Sequence, residues 1–259
     1  MKVLCIGDIM GEPGRRAVAR AMPRLVARHQ VDIVIGNGEN AAGGFGITQE
    51  LAEELFDLGL SVITTGNHAW DKKEAVGYFA REPRLLRPAN YPPGVPGQGA
   101  TIVETAGGER LAVLQLMGRA YMPMIDCPFQ SAKRELTGLK QETSAVIVEM
   151  HAEATSEKMA MGHYLDGDVT AVVGTHTHVQ TADDQILPKG TAYITDIGMT
   201  GPLHSVIGVK KEMAIEKFLT GMPRRFEVAS GPSVFCAVLL ELDARLGKAI
   251  AFERIRLID

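Results

Sequence analysis

The chain has 259 residues, of which 46% are hydrophobic and 22% are charged, and its formal net charge is −4. This length allows a large core in a single domain, and the composition excludes disordered and fibrous classes. Because there is no basic surplus to attract phosphate groups, an extended nucleic-acid partner or an anionic membrane surface is not expected.

The first third of the chain alternates short apolar runs with amphipathic patterns. Strands are predicted at 2–8, 31–37 and 61–66, and helices at 13–28, 48–58 and 72–81. The apolar runs lack a period-2 alternation and are separated by helices, which indicates a mostly parallel sheet covered on both faces. Pro23 falls inside the first predicted helix, where proline can kink the axis.

The middle of the chain breaks this rhythm and then resumes it. Residues 82–99 are rich in proline and glycine and predict an irregular connection. The segments that follow are predicted as a hairpin over 100–118, a loop and helix over 125–143, a strand at 144–151, a helix at 155–165 and a strand at 169–176. We interpret the region around 82–143 as the place of a small cap insertion in a single domain that spans 1–259.

The last third of the chain is rich in strands. They are predicted at 191–198, 233–243 and 249–259, with one helix at 210–219. An α/β first half followed by an antiparallel end predicts an α/β fold of two packed mixed β-sheets flanked by helices.

Cysteine use and hydropathy indicate where the protein works. The three cysteines, Cys5, Cys127 and Cys236, are far apart and form no C-x-x-C motif, which favours free thiols. The apolar run before Gly7 is too short for a signal-peptide core, and no stretch reaches the roughly 20 apolar residues of a membrane span. We therefore expect a cytoplasmic protein with no membrane partner.

Polar residues of ligand type follow five of the predicted strands. They are Asp8, Glu39, Asn40, Asn67, His68, His151, His176 and His178. In open α/β sheets, chemistry collects at the carboxyl ends of strands, so these side chains would converge on one edge if their strands share a sheet.

Each of these residues also has an ordinary interpretation when taken alone. Asp8 could cap the following helix, and asparagines beside glycines are common turn residues. His151 could be an interior histidine with satisfied hydrogen bonds. A spacing of two places His176 and His178 on one side of a strand, which suits two metal ligands but also two exposed residues.

The order of the motifs resembles that of the calcineurin-like metallophosphoesterases, which run D-x-H, G-D-x-x-D, G-N-H-[DE], a lone histidine and G-H-x-H. The matching segments here are Asp8-Ile9-Met10, Gly38-Glu39-Asn40, Gly66-Asn67-His68-Ala69, His151 and Gly174-Thr175-His176-Thr177-His178. The departures, with "GENAAGG" and "DIGMTGP", are similar to the bacterial YmdB-type phosphodiesterases, and this resemblance covers the whole chain. It implies an αββα sandwich and a binuclear-metal phosphodiesterase that acts on cyclic nucleotides.

The resemblance also implies a set of metal ligands. Met10 stands where the superfamily has a histidine, and its thioether is a poor ligand for Mn, Fe or Mg in a carboxylate–imidazole site. Asn40 is the expected substitute, through its side-chain carbonyl. The implied ligands are Asp8, Glu39, Asn40 and His178 for one divalent ion, and Glu39, Asn67, His151 and His176 for the other. Iron and manganese are the expected ions, with magnesium and zinc as alternatives.

The chemistry implied by the resemblance is attack on phosphorus by a metal-bridging hydroxide, with His68 as the general acid that protonates the leaving oxygen. Asp71 is a candidate to orient His68. Arg119 and Thr200 follow strand ends and are candidate ligands of the non-bridging phosphate oxygens, although such residues more often serve the surface or a turn. A solvent-exposed loop residue is the better interpretation of His204.

Three hypotheses for the function remain at this point. The leading one is hydrolysis of small phosphodiesters, with 2′,3′- or 3′,5′-cyclic nucleotides as substrates. A phosphomonoesterase or 5′-nucleotidase could use the same ions, but its more highly charged substrate would favour more cationic side chains than Arg119 alone. A slow regulatory protein that binds metal and nucleotide would have no need of a general acid such as His68. The sequence does not determine the oligomeric state, and a homo-oligomer is one alternative.

Overall fold

Two mixed β-sheets lie face to face in this computed structural model, which describes residues 1–259. The first sheet contains β1 (Lys2–Ile6), β2 (Asp8–Ile9), β3 (Ile33–Asn37), β4 (Val62–Thr64), β11 (Met199–Pro202), β12 (Ser233–Asp243) and β13 (Lys248–Ile258). The second sheet contains β5 (Ala100–Glu104), β6 (Arg110–Met117), β7 (Val146–His151), β8 (Ala171–Thr175), β9 (Gln185–Ile186) and β10 (Ala192–Ile194). The predicted α/β class with two packed mixed sheets is confirmed.

The six predicted helices are all present. They are α1 (Gly11–His29), α2 (Gln49–Asp57), α3 (Lys73–Phe79), α4 (Pro128–Glu142), α5 (Thr155–Tyr164) and α6 (Lys211–Thr220). Pro23 lies inside α1, and the helix continues to His29. None of these helices combines the length and the apolarity that crossing a membrane would require.

Both faces of the central strands of each sheet are buried, which explains the unbroken apolar runs in the sequence. In β1, Leu4 and Ile6 belong to the core under α1, α2 and α3, whereas Val3 and Cys5 belong to the core between the two sheets. A third core joins the other face of the second sheet to α4 and α5. The layers are therefore helix, sheet, sheet and helix.

Strand direction brings the polar strand ends to one edge of the sandwich. In the first sheet β3 runs parallel to β1 and to β4. In the second sheet β6, β7, β8 and β10 form a parallel series. The segments that follow these strands therefore meet, and β12 and β13 complete the first sheet in antiparallel fashion.

The region interpreted as a cap supplies parts of the second sheet. Its hairpin is β5 and β6, and β6 pairs in parallel with β7. Helix α4 packs on the outer face of that sheet, where Leu136 joins the same core as Leu114 and Leu116.

Candidate metal centre

The eight polar residues predicted at strand ends lie on one edge of the sandwich. Asp8 is in β2, directly after β1, and His151 is the last residue of β7. The others follow β3, β4 or β8, in that order: Glu39 and Asn40, Asn67 and His68, and His176 and His178. Each sheet thus contributes side chains to the same site.

The first group of candidate ligands converges on the imidazole of His151, which is fully buried. Its Nε2 atom lies 3.1 Å from Glu39 Oε1, 3.0 Å from Asn67 Oδ1 and 3.1 Å from His176 Nδ1. The ligand atoms of Glu39, His151 and His176 all lie within 4.8 Å of one another and could hold a metal ion.

A second group surrounds two buried oxygen atoms that have no hydrogen-bond partner. These atoms are Asp8 Oδ1 and Asn40 Oδ1. The Asn40 amide nitrogen donates to Gly44 O at 3.0 Å, which fixes the side chain, and His178 Nε2 lies 3.7 Å from Asp8 Oδ1. Buried polar atoms rarely stay unpaired, because losing water without a replacement partner costs free energy. A cation between these groups would provide that partner.

Met10 packs beside this second group. It is only 2% exposed, and a side chain at either Gly44 or Gly208 would press against it. Both glycines have positive φ, 99° and 100°. Met10 therefore fills the space below two loops. The neighbouring side chain that offers an oxygen atom to a metal ion is Asn40.

The prediction that His176 and His178 lie on one side of a strand is wrong. Strand β8 ends at Thr175, and both histidines have positive φ, 92° and 65°. Such angles are uncommon for residues other than glycine. The turn is held by hydrogen bonds: His176 N–H donates to Asp8 Oδ2 (3.3 Å), and His178 Nδ1 donates to Ile207 O (2.8 Å). The two imidazoles reach the site from a loop.

Ionisation of Glu39 and His176 suits metal binding, whereas His151 favours its protonated form: burial lowers its pKa, but the neighbouring Glu39 carboxylate outweighs burial and the net pKa is raised. Burial raises the pKa of the Glu39 carboxyl, but the neighbouring His151 outweighs this effect, and the net pKa falls to about 2. Burial, together with the charge of His151, lowers the pKa of His176 to about 3. A carboxylate and a neutral imidazole are the forms that coordinate metal ions.

A buried network behind the site was not predicted from the sequence. Glu149 Oε1 accepts hydrogen bonds from Asn37 Nδ2 (2.7 Å) and Thr175 Oγ1 (3.0 Å), and its Oε2 accepts from Thr64 Oγ1 (2.6 Å). Burial raises the pKa of Glu149 to about 7, against the lowering effect of these hydrogen bonds. Thr175 Oγ1 also contacts His151 Nδ1 at 2.9 Å, which directs Nε2 toward the other candidate ligands. In the sequence, the only indication of this network was a glutamate, Glu149, inside an otherwise apolar strand.

His68 lies on the open side of the group. Its Nδ1 atom is 2.8 Å from Asp71 Oδ2, and its ring packs edge-to-face on Phe45 at 5.1 Å between centroids. Asp71, a candidate to orient this imidazole, is in contact with it. The Nε2 atom of His68 has no hydrogen-bond partner. His68 lines the same cavity as Glu39, Asn40 and the two loop histidines.

The remaining candidates lie outside that cavity. Thr200 is fully buried in β11, where its hydroxyl donates to Cys236 O and accepts from Cys236 N, each at 3.1 Å. Arg119 is exposed, and its backbone N–H donates to Glu157. His204 is exposed on a loop. A residue the sequence did not point to, Glu153, instead contacts His176 Nε2 at 3.1 Å.

Comparison with known proteins places this site in a family. Residues 4–255 match the family described as YmdB-like protein. The chain is 47% identical to the 2′,3′-cyclic-nucleotide 2′-phosphodiesterase of Bacillus subtilis (strain 168), over 100% of this chain and 98% of that protein. It is 36% identical to a putative phosphatase/phosphodiesterase of Mycoplasma pneumoniae, over 100% of this chain and 94% of that protein.

Two solved structures have the same fold over the full length of this chain. A hypothetical protein from Thermus thermophilus superimposes with a TM-score of 0.93 at 46% identity, covering 100% of both chains. A novel phosphatase from Mycoplasma pneumoniae superimposes with a TM-score of 0.93 at 36% identity, covering 100% of this chain and 93% of the other. The resemblance stated from the motifs is confirmed, and the chain belongs to the YmdB-like family.

Proposed function

We propose that this protein is a metal-dependent phosphodiesterase that hydrolyses small cyclic nucleotides. The observation that carries the proposal is the convergence of carboxylate, amide and imidazole ligand atoms from both sheets, with two buried oxygens unpaired. The Bacillus subtilis relative, named for 2′,3′-cyclic nucleotides, supports the choice of substrate.

Two divalent ions would fit the two groups of donors. The proposed ligands are Asp8, Glu39, Asn40 and His178 for one ion, and Glu39, Asn67, His151 and His176 for the other. Mixed carboxylate, amide and imidazole ligands suit manganese and iron, with magnesium and zinc as alternatives. When bound, such ions supply positive charge for the phosphate and lower the pKa of a coordinated water.

His68 is the proposed general acid. In the hydrolysis, a water oxygen bonds to phosphorus and releases a proton to solvent, one P–O ester bond breaks, and the leaving oxygen takes a proton from His68, which solvent then reprotonates. The contact of Nδ1 with Asp71 fixes the ring and leaves Nε2 to carry that proton toward the cavity. A protein that only bound nucleotide would have no need of this pair.

The lining of the cavity favours a diester over a monoester. No lysine or arginine is among the residues that line it. A phosphomonoester carries about two negative charges near neutral pH and a diester only one, so the monoester would need more cationic side chains. A monoanionic diester is therefore the better match.

A hydrolysis screen tests the proposal. Purified protein with added Mn²⁺ would be assayed on 2′,3′-cyclic nucleotides, 3′,5′-cyclic nucleotides and nucleoside monophosphates, with His151→Ala as the inactive control. We expect turnover of cyclic diesters, with 2′,3′-cyclic substrates preferred. Turnover of monophosphates alone, or equal activity in His151→Ala, would refute the proposal.

A further inference from the structure

One half of the cavity at the candidate metal centre is apolar. Four of the proposed ligands, Glu39, Asn40, His176 and His178, form the polar half together with His68. The apolar half consists of Met10, Phe45, Ile207, Val209 and Phe226. Met10 and Val209 are buried below the surface, at 2% and 6% exposure. Phe45, Ile207 and Phe226, which we call the apolar wall, are the members that remain accessible.

Ile207 is the first of the two turn residues between Val206 and Val209, which exchange two backbone hydrogen bonds of 3.0 Å, and such a two-residue turn places both of its central residues at positive φ. The side chain of Ile207 is 53% exposed, and its φ is 48°. A left-handed conformation is a genuine outlier for a β-branched residue, and glycine or asparagine would adopt it with less strain. The carbonyl of Ile207 accepts the hydrogen bond from His178 Nδ1, a contact that any residue could make. What isoleucine adds is an apolar side chain that lines the cavity beside a proposed ligand.

Each aromatic ring of the wall has a contact that restrains it. Phe45 is fixed by its edge-to-face contact with His68, 5.1 Å between ring centroids. Lys217 Nζ lies 4.9 Å from the centroid of the Phe226 ring and covers it with a cation. Rings that are held in place bind a flat ligand at a smaller entropy cost than mobile ones.

From these observations we infer that the apolar wall is the subsite for the base of a nucleotide substrate, an inference that rests on the proposed function. A base has an apolar face that stacks on aromatic side chains, whichever base it is. The wall offers apolar side chains and no hydrogen-bonding side chain, so it selects for the presence of a base rather than its identity. Because the wall and four of the proposed ligands share one cavity, base and phosphate can be held together.

Paired substrates test this subsite. Adenosine 2′,3′-cyclic phosphate would be compared with methyl riboside 2′,3′-cyclic phosphate, which has the same cyclic diester but no base. The measured quantity is the ratio of the two kcat/KM values, with metal content determined for each protein. We expect the wild type to prefer the nucleotide, and Phe45→Ala and Phe226→Ala each to lower that preference about tenfold.

Two further variants make the test specific. Ile207→Gly keeps the carbonyl that accepts from His178 and relieves the strained φ, so it removes only the apolar side chain; it should also lower the preference. Phe218→Ala is the matched control, since Phe218 lies on α6, is 85% exposed and does not line the cavity. The Phe218→Ala variant should have the same ratio of kcat/KM values for the two substrates as the wild type.

A binding measurement separates this inference from the proposed function. Calorimetric titration of Mn-loaded protein with adenosine 3′-monophosphate and with ribose phosphate reports base binding without turnover. If the wild type hydrolyses neither cyclic diester but binds adenosine 3′-monophosphate more tightly, and the wall variants lose this difference, the proposed function fails and the subsite stands. Unchanged preference and unchanged binding in all three wall variants would overturn the subsite.

Discussion

Asn40 and Met10 form neighbouring parts of one cavity floor, and their arrangement accounts for the departure from the superfamily motif. Met10 is packed below Gly44 and Gly208, so a thioether fills the space where the motif has a histidine. The Asn40 backbone carbonyl accepts from Gly11 N–H at 2.9 Å, and its side-chain oxygen is buried and unpaired. In the proposed ligand set, this amide oxygen is the ligand that the soft thioether of Met10 does not provide.

Asn40→Ala should reduce the bound metal from two ions to about one per chain, because it removes one oxygen ligand from the group that contains Asp8 and His178. Metal analysis after dialysis against Mn²⁺ measures this. The matched control is Asn90→Ala, since Asn90 is also buried but its amide is fully used in hydrogen bonds to Met117 and Asp126. Full metal content in Asn40→Ala would show that Asn40 is not a ligand.

His68→Ala should keep both ions and lose activity by about 100-fold or more, the usual contribution of a general acid. The readout is kcat on bis-p-nitrophenyl phosphate and on a 2′,3′-cyclic nucleotide, together with the metal content. The nucleotide has the poorer leaving group, so kcat should fall more for the nucleotide than for bis-p-nitrophenyl phosphate. His204→Ala, a change at an exposed loop histidine, should leave turnover as in the wild type; equal turnover in His68→Ala would rule out the acid role.

Residue chemistry explains which parts of the site the sequence could predict. Ligand-type side chains after strands are visible because carboxyl ends of strands collect chemistry. The contact of Glu153 with His176 and the apolar wall were not visible. Phe45, Ile207 and Phe226 are far apart in the chain, and only the tertiary structure brings their loops to one cavity.

At the scale of elements, the turn after β8 depends on a buried ion pair. Asp196 Oδ2 accepts from Thr177 N at 3.0 Å, from Thr177 Oγ1 at 2.6 Å and from Lys158 Nζ at 2.8 Å. The side chains of Lys158 and Asp196 are 1% and 0% exposed. Thr177 stands between the two histidines, so α5 and the segment after β10 together fix the turn that presents them.

Lys158→Met should lower the free energy of unfolding by about 3 kcal/mol, because it leaves the Asp196 carboxylate buried without its cation. It should also weaken Mn²⁺ binding, since Thr177 loses part of its anchor. Urea unfolding and a metal titration measure the two effects. Lys133→Met is the control for the same substitution: the pair of Lys133 with Asp168 is 45% and 42% exposed and should contribute less than about 1 kcal/mol. Similar losses in both variants would contradict this role for Lys158.

The elements themselves were predictable where the pattern is long. All six helices and the longer strands appear because amphipathic or unbroken apolar runs specify them. The short strands β2, β9 and β11 were not predicted, since two to four residues carry no period and form only where a neighbouring strand is available. The same limit explains the error at His176 and His178: an apolar run shows where a strand lies but not the residue at which its backbone turns.

At the scale of the whole molecule, the candidate metal centre joins the two sheets. Glu39 and Asn67 follow strands of the first sheet, whereas His151 and His176 belong to the second. Away from this site, the two sheets are held together by the apolar core between them. At the edge of the sandwich the contacts are polar, and unpaired Asp8 and Asn40 oxygens are buried among them. Bound ions would therefore stabilise the packing of one sheet on the other as well as the site.

Removing metal should lower the thermal stability of the entire protein. An ion at 100 times its Kd adds about 2.7 kcal/mol when it binds only the folded state, which corresponds to a rise in Tm of about 5 to 10 °C for a chain of this size. Thermal unfolding with a chelator and at increasing Mn²⁺ measures the effect. His163→Ala, a change near the end of α5 away from the site, should respond to Mn²⁺ like the wild type, and His151→Ala should respond much less. A wild-type Tm that does not change between chelator and Mn²⁺ would mean that the ligands at this edge do not couple the sheets through metal.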